Sequence, residues 1–259
     1  MSQNYEKNNK KYMTKNLLML ATAILIATFA TAGTPKGNND KTMTYGSHTY
    51  TVSGSINGKT LDSIASSILS NGYKGKATAK VSFTNIPSDY EEFEAVYTQL
   101  LGKSIHGTAA MIPMAMEIYA RDREQGEQCF WLICNNSSTV SQILRILKDK
   151  FGPQSQYAPE NDTYGQRYLP AALLKGATAQ NGYTPTLPYT VEMTASVNKS
   201  QETTYGTDYF VYILSKGWDT EQRSVEILLP YEGGLYKVFN CPSVYTQCKN
   251  IRGKWNGLQ

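Results

Sequence analysis

The chain has 259 residues, with 25 Lys and Arg against 21 Asp and Glu, a formal net charge of +4 and a pI near 8.7. A hydrophobic content of 41% and a mean hydropathy of -0.41 exclude a polytopic membrane protein, and apolar residues spread along the whole length exclude a wholly disordered chain. At roughly 100 to 200 residues per domain, this length suits one large domain or two small ones, ample to bury a core.

Residues 1–32 read as an export signal. Lys7, Lys10, Lys11 and Lys15 precede an apolar run from Leu17 to Ala30, and Ala30-Thr31-Ala32 is a small-x-small triplet that places the cut after Ala32. The run is about 14 residues, short of the roughly 20 that span a bilayer, and no cysteine near the cut could carry a lipid. The expected destination is the periplasm or the exterior, without a lipid anchor and without membrane insertion once the signal is removed. Met13 would also serve as a start, since Lys15 and the same run still make a signal. Four lysines and one glutamate leave with the signal, so the remaining 227 residues carry 21 basic against 20 acidic side chains. The basic balance belongs to the address, and no nucleic-acid partner is expected. Residues 33–44, polar with Pro35 and Gly37, read as a flexible linker before a single domain over 45–259.

Within 45–87 the pattern is β-α-β: alternation predicts a strand at Thr49–Ser53, Leu61 to Leu69 has helical spacing, and Ala77–Thr84 alternates again. Residues 88–152 form a block of about four helices. Ser88-Asp89-Tyr90-Glu91 has the form of a capping box, with Phe93, Tyr97, Leu100 and Leu101 as the buried stripe behind it. Ala109–Tyr119 is apolar almost all round, which predicts a central helix with Pro113 inside it and with Met111, Met114 and Met116 as core. Glu127–Asn135 and a helix capped by Ser137 or Ser138 complete the block, closed by Gly152-Pro153. Residues 153–188 are rich in Tyr and Pro, with one helical turn near Ala171–Leu174. From 189 to 259, alternation at Tyr189–Val197 and Val225–Leu229, a run apolar on both faces at Tyr209–Leu214 that suits a central strand, and Leu235–Phe239 after the Gly233-Gly234 turn predict an antiparallel meander. The expected class is α+β, with the helical block packed on a sheet formed mainly by that meander.

Reaction chemistry is sparse. With only His48 and His106, neither a histidine-rich metal site nor a hydrolytic triad is expected, and no cofactor site is predicted. Gly54-Ser55-Ile56-Asn57-Gly58-Lys59-Thr60 has one residue too few between its glycines for a phosphate loop. Cys129 and Cys134 fall in one helix, five residues apart, whereas Cys241 and Cys248 flank a loop opened by Pro242 and are the pair able to form a disulfide. Paired carboxylates are the one catalytic arrangement left open, with Glu160, Asp162, Asp219 and Glu221 all in predicted loops. The unusual component is tyrosine, 19 in all, 17 of them after the signal. Tyrosine offers a broad amphipathic contact face at low entropy cost. Tyr157, Tyr164, Arg167, Tyr168 and Tyr183, together with Trp218 and Asp219, are therefore the candidate ligand-binding set.

Four stretches resemble a family of uncharacterised exported bacterial proteins: Met111–Cys129 (MIPMAMEIYARDREQGEQC), Tyr164–Ala177 (YGQRYLPAALLKGA), Tyr183–Met193 (YTPTLPYTVEM) and Ser215–Gly253. The likeness covers about Ser88 to Trp255 and implies export and a shared fold, with no catalytic residue to transfer. The expected function is a non-catalytic binding module that recognises a glycan or a protein through the Tyr-rich loop. The alternatives are a hydrolase using the loop carboxylates and a structural component of the envelope or surface.

Overall fold

The computed structural model describes residues 40–56, 59–60, 76–152, 165–202, 204–252 and 255–258. The export signal expected at residues 1–32, the helix expected at Leu61–Leu69, and Tyr157, Glu160, Asp162 and Tyr164 lie outside the described residues.

Period-two alternation builds one curled antiparallel sheet from β1 (Lys41–Tyr45), β2 (His48–Ile56), β3 (Lys59–Thr60), β4 (Lys76–Phe83), β5 (Tyr189–Glu202), β6 (Gly206–Leu214), β7 (Gln222–Pro230) and β8 (Lys237–Asn240). The order is β1-β2-β4-β5-β6-β7-β8, with β3 paired to β2 off that path. β5 to β8 form the expected meander, and β4 seals the free side of β5 through eight register pairs from Lys76↔Ser196 to Phe83↔Tyr189. Tyr50, Val52, Val81, Phe83, Val191, Met193, Val211, Ile213, Val225 and Ile227 point to the inner face and are buried. Thr42, Thr51, Ser82 and Thr190 point the other way, in hydroxyl pairs 3.1 Å apart. β1 takes in residues 41–44, which the sequence suggested as the end of a linker. A strand of Lys, Thr and Tyr with Met43 as its one well-buried apolar residue has too little hydropathy to stand out, and its pairing with β2 is what fixes it.

The helices α1 (Tyr90–Gln99), α2 (Ile105–Arg121), α3 (Arg123–Ile133), α4 (Ser137–Lys150) and the short α5 (Leu169–Ala172) lie on the sheet's inner face, so the class is α+β. α2 is buried from Ile105 to Tyr119 and contacts β4, β6, β7 and β8, which makes it the centre of the core. Its three methionines are fully buried. The two caps expected at Ser88 and at Ser137 or Ser138 sit one or two residues earlier or later in the chain. Asp89 rather than Ser88 caps α1, its carboxylate accepting from the Glu92 N–H at 2.9 Å, while Glu92 reaches back to the Ser88 N–H at 2.7 Å. Asp122 caps α3 and Asn136 caps α4 through the N–H groups of Gln125 and Thr139. At the first and last of these helices an Asp or Asn takes the capping position in place of the expected serine. Between α2 and α3 the backbones nearly touch: a Cβ on Gly126 would lie 2.0 Å from the Cα of Tyr119, so glycine alone fits there.

Candidate functional site

The described part of the candidate set comes together, but inward. The Arg167 guanidinium grips the Glu117 carboxylate in a two-pronged ion pair at 2.7 and 2.9 Å, and Arg121 donates to the same carboxylate at 3.0 Å. Glu117 sits one turn before the C-terminal end of α2 and is 1% exposed. Arg121 also donates to the Leu258 carbonyl at 3.1 Å, so the Glu117 carboxylate ties α2 to the loop before α5 directly and to residues 255–258 through Arg121. Beside it the rings of Tyr168 and Tyr183 stack with centroids 4.9 Å apart and planes 8° apart, and Trp255 meets Tyr168 edge-on. Both tyrosines are fully buried, and the Tyr183 hydroxyl donates to the Lys249 carbonyl at 2.6 Å. Gln166, equally buried, accepts no role at the surface either: its N–H donates to the Lys150 carbonyl and its amide to the Cys248 carbonyl. The Trp218 indole is buried under the Arg223 guanidinium, 4.9 Å from its ring centre. Asp219 alone is open to water, its side chain 97% exposed beside Lys249. Arg167, Tyr168, Tyr183 and Trp218 thus join parts of the fold instead of forming the surface expected of them. Tyrosine's value at an interface, a large apolar face with a polar tip, is the same value it has in a core that can satisfy the tip.

Groups with reaction chemistry are similarly occupied. Glu92 is buried and accepts from the Tyr50 hydroxyl and from His48 Nδ1, both at 2.7 Å. Burial pushes the thiols of Cys134 and Cys248 up to about 12 and those of Cys129 and Cys241 higher still, away from the thiolate a nucleophile needs. All four cysteines are free in this structure, so the bridge suggested between Cys241 and Cys248 is not formed. The turn at Pro242–Tyr245 separates them, and Cys248 faces Tyr183 and Lys150. Of the loop carboxylates, Asp219 is paired with Lys249 and Glu221 with Lys216. Among the described residues no group of three His, Cys, Asp or Glu side chains is arranged to hold a metal ion.

His106, in the first turn of α2, is buried with Nε2 lacking a hydrogen-bond partner. Burial pushes its imidazole down from 6.5 to about 4. Because the folded value lies below the unfolded one, the fold keeps its full stability above about pH 6.5 and loses it as the pH falls toward 4. The loss is on the order of 3 kcal/mol by pH 4. Urea midpoints at pH 7 and pH 4.5 should therefore diverge more for the wild type than for His106→Gln, which has no proton to take up; equal pH dependence in the two would refute this origin.

What the sequence did not single out is the far end of the sheet. Among the described residues the large hydrophobic side chains most open to water are Trp131, Leu187, Tyr205 and Tyr231. Tyr205 and Tyr231, 61% and 63% exposed, sit on the turns that end β5–β6 and β7–β8, and the Tyr231 N–H donates to the Tyr205 carbonyl at 3.4 Å. The Phe239 ring lies 6.4 Å from that of Tyr205. Gly206 fixes this approach: its φ is +152°, and a Cβ there would come within 2.0 Å of the Leu229 carbonyl oxygen. The available signal was the glycine beside each tyrosine, Tyr205-Gly206 and Tyr231-Glu232-Gly233-Gly234, which puts both rings at hairpin turns.

Fold and side-chain placement define an α+β protein on one curled antiparallel sheet, with aromatic rings displayed at one end. Residues 85–252 match the family described as Domain of unknown function (DUF6935), and the chain belongs to that family. No curated protein and no solved structure matches the chain.

Proposed function

We propose that the protein is an exported, non-catalytic binding module whose contact surface is the Tyr205, Tyr231 and Phe239 end of the sheet. The observation that carries this reading is the exposure of two tyrosine rings on adjoining turns, where most other aromatic rings among the described residues are buried or half-buried. A folded protein gains by covering such rings, and rings held in water on a rigid sheet are the usual anchors of recognition. Export is supported by the basic and apolar pattern of residues 1–32.

The test uses immobilised wild-type protein and the Tyr205→Ala/Tyr231→Ala variant, each challenged with envelope polysaccharides and with secreted proteins. A ligand held by the wild type and released by the variant, with unchanged thermal melting, is the expected result. Equal retention by both proteins would remove this surface as the binding site.

A further inference from the structure

Resting on that reading, we infer that the ligand taken at this end of the sheet is a glycan, with pyranose rings stacking on Tyr205 and Tyr231. A stable protein partner covers about 800 Å² on each side around a packed apolar centre. Here the exposed residues flanking the two rings in sequence are Thr204, Glu232, Gly233 and Gly234, which add no apolar side chain, and Phe239 beside Tyr205 adds only a half-buried ring. Two tyrosine faces amount to a few hundred Å² at most, well short of that area. They do match a sugar ring, which has one apolar face of C–H groups and a rim of hydroxyls. Tyrosine answers the first with its ring and the second with its phenol. Further polar groups lie beside Phe239, where the Asn240 side chain hydrogen-bonds Glu226 across β7 and β8. Both tyrosines ride on turns of paired strands, and the backbone bond between them limits the freedom lost when a sugar binds.

Affinity electrophoresis of the full chain through gels containing xylan, mannan or mixed-linkage β-glucan, with sedimentation on peptidoglycan sacculi, tests this directly. At least one polymer should retain the wild type, and Tyr205→Ala/Tyr231→Ala should weaken retention at least about tenfold. Tyr205→Phe/Tyr231→Phe should stay closer to the wild type than the alanine variant, because the ring faces remain, and circular dichroism should show both variants folded. No retention on any polymer, or retention unchanged in the folded alanine variant, overturns the inference. A ligand that depends on the two tyrosines but is destroyed by protease and untouched by periodate also overturns it, while leaving the binding-module reading in place.

Discussion

A chain beginning at residue 85, where the family match begins, should fail to fold. It would lose β1 to β4, and with them Tyr50, Val52, Val81 and Phe83, all buried against the helices or the rest of the sheet. At roughly 1.5–3 kcal/mol for each buried side chain, that is on the order of 8 kcal/mol, comparable to the 5–15 kcal/mol that holds a domain together. The damage goes beyond area. The Phe83 ring stacks on Tyr50 and tilts against Tyr189, so the aromatic layer would be cut through its middle. Glu92 would keep the Ser88 N–H but lose Tyr50 and His48, leaving a buried carboxylate short of donors. β5 would become a long edge with unpaired backbone groups, an invitation to aggregate. The expected result is an aggregated or unfolded species with no cooperative thermal transition. A monomeric 85–259 chain that melts cooperatively would show that β1 to β4 are dispensable.

Replacing Glu117 with alanine should be the most damaging single change at the tied loop. The substitution leaves Arg167, its side chain 18% exposed, without the carboxylate it grips in two places. Breaking a buried ion pair from one side costs about 3–5 kcal/mol, because the remaining charge loses its partner without regaining water. Arg167→Ala strands Glu117 in the core in the same way, although Arg121 still reaches it. Glu117→Met/Arg167→Met removes both charges together and should recover much of the loss. Denaturant midpoints of the two singles and the double decide this: strict additivity would mean that the pair is not coupled.

The parts of the fold carried by local pattern were legible in the sequence. Alternation from Val225 to Leu229 and the all-round apolarity of Ala109–Tyr119 gave the meander and the central helix, since burial on a known period leaves its mark in hydropathy. β1 was not legible, because Met43 is its only strong apolar signal and its partner supplies the reason it is a strand. Caps slipped because Ser88, Ser137 and Ser138 sit next to Asp or Asn residues that compete for the same N–H groups. The tyrosines show the deeper limit. Tyr168 and Tyr183 have the same side chain as Tyr205 and Tyr231, and which pair faces water is decided by long-range partners, the Lys249 carbonyl and Trp255 among them. No local pattern records those contacts.

That division between buried and displayed tyrosines is the centre of the account, and tyrosine nitration mapped by peptide mass spectrometry tests it most directly. Tetranitromethane attacks phenolates it can reach, and burial pushes the phenols of Tyr50, Tyr97 and Tyr183 well above their ordinary 10. Tyr205 and Tyr231 should be nitrated early, while Tyr168 and Tyr183 should stay protected until the protein is unfolded. Nitration of Tyr168 and Tyr183 in the native protein as fast as that of Tyr231 would contradict the account and return the binding surface to the loop.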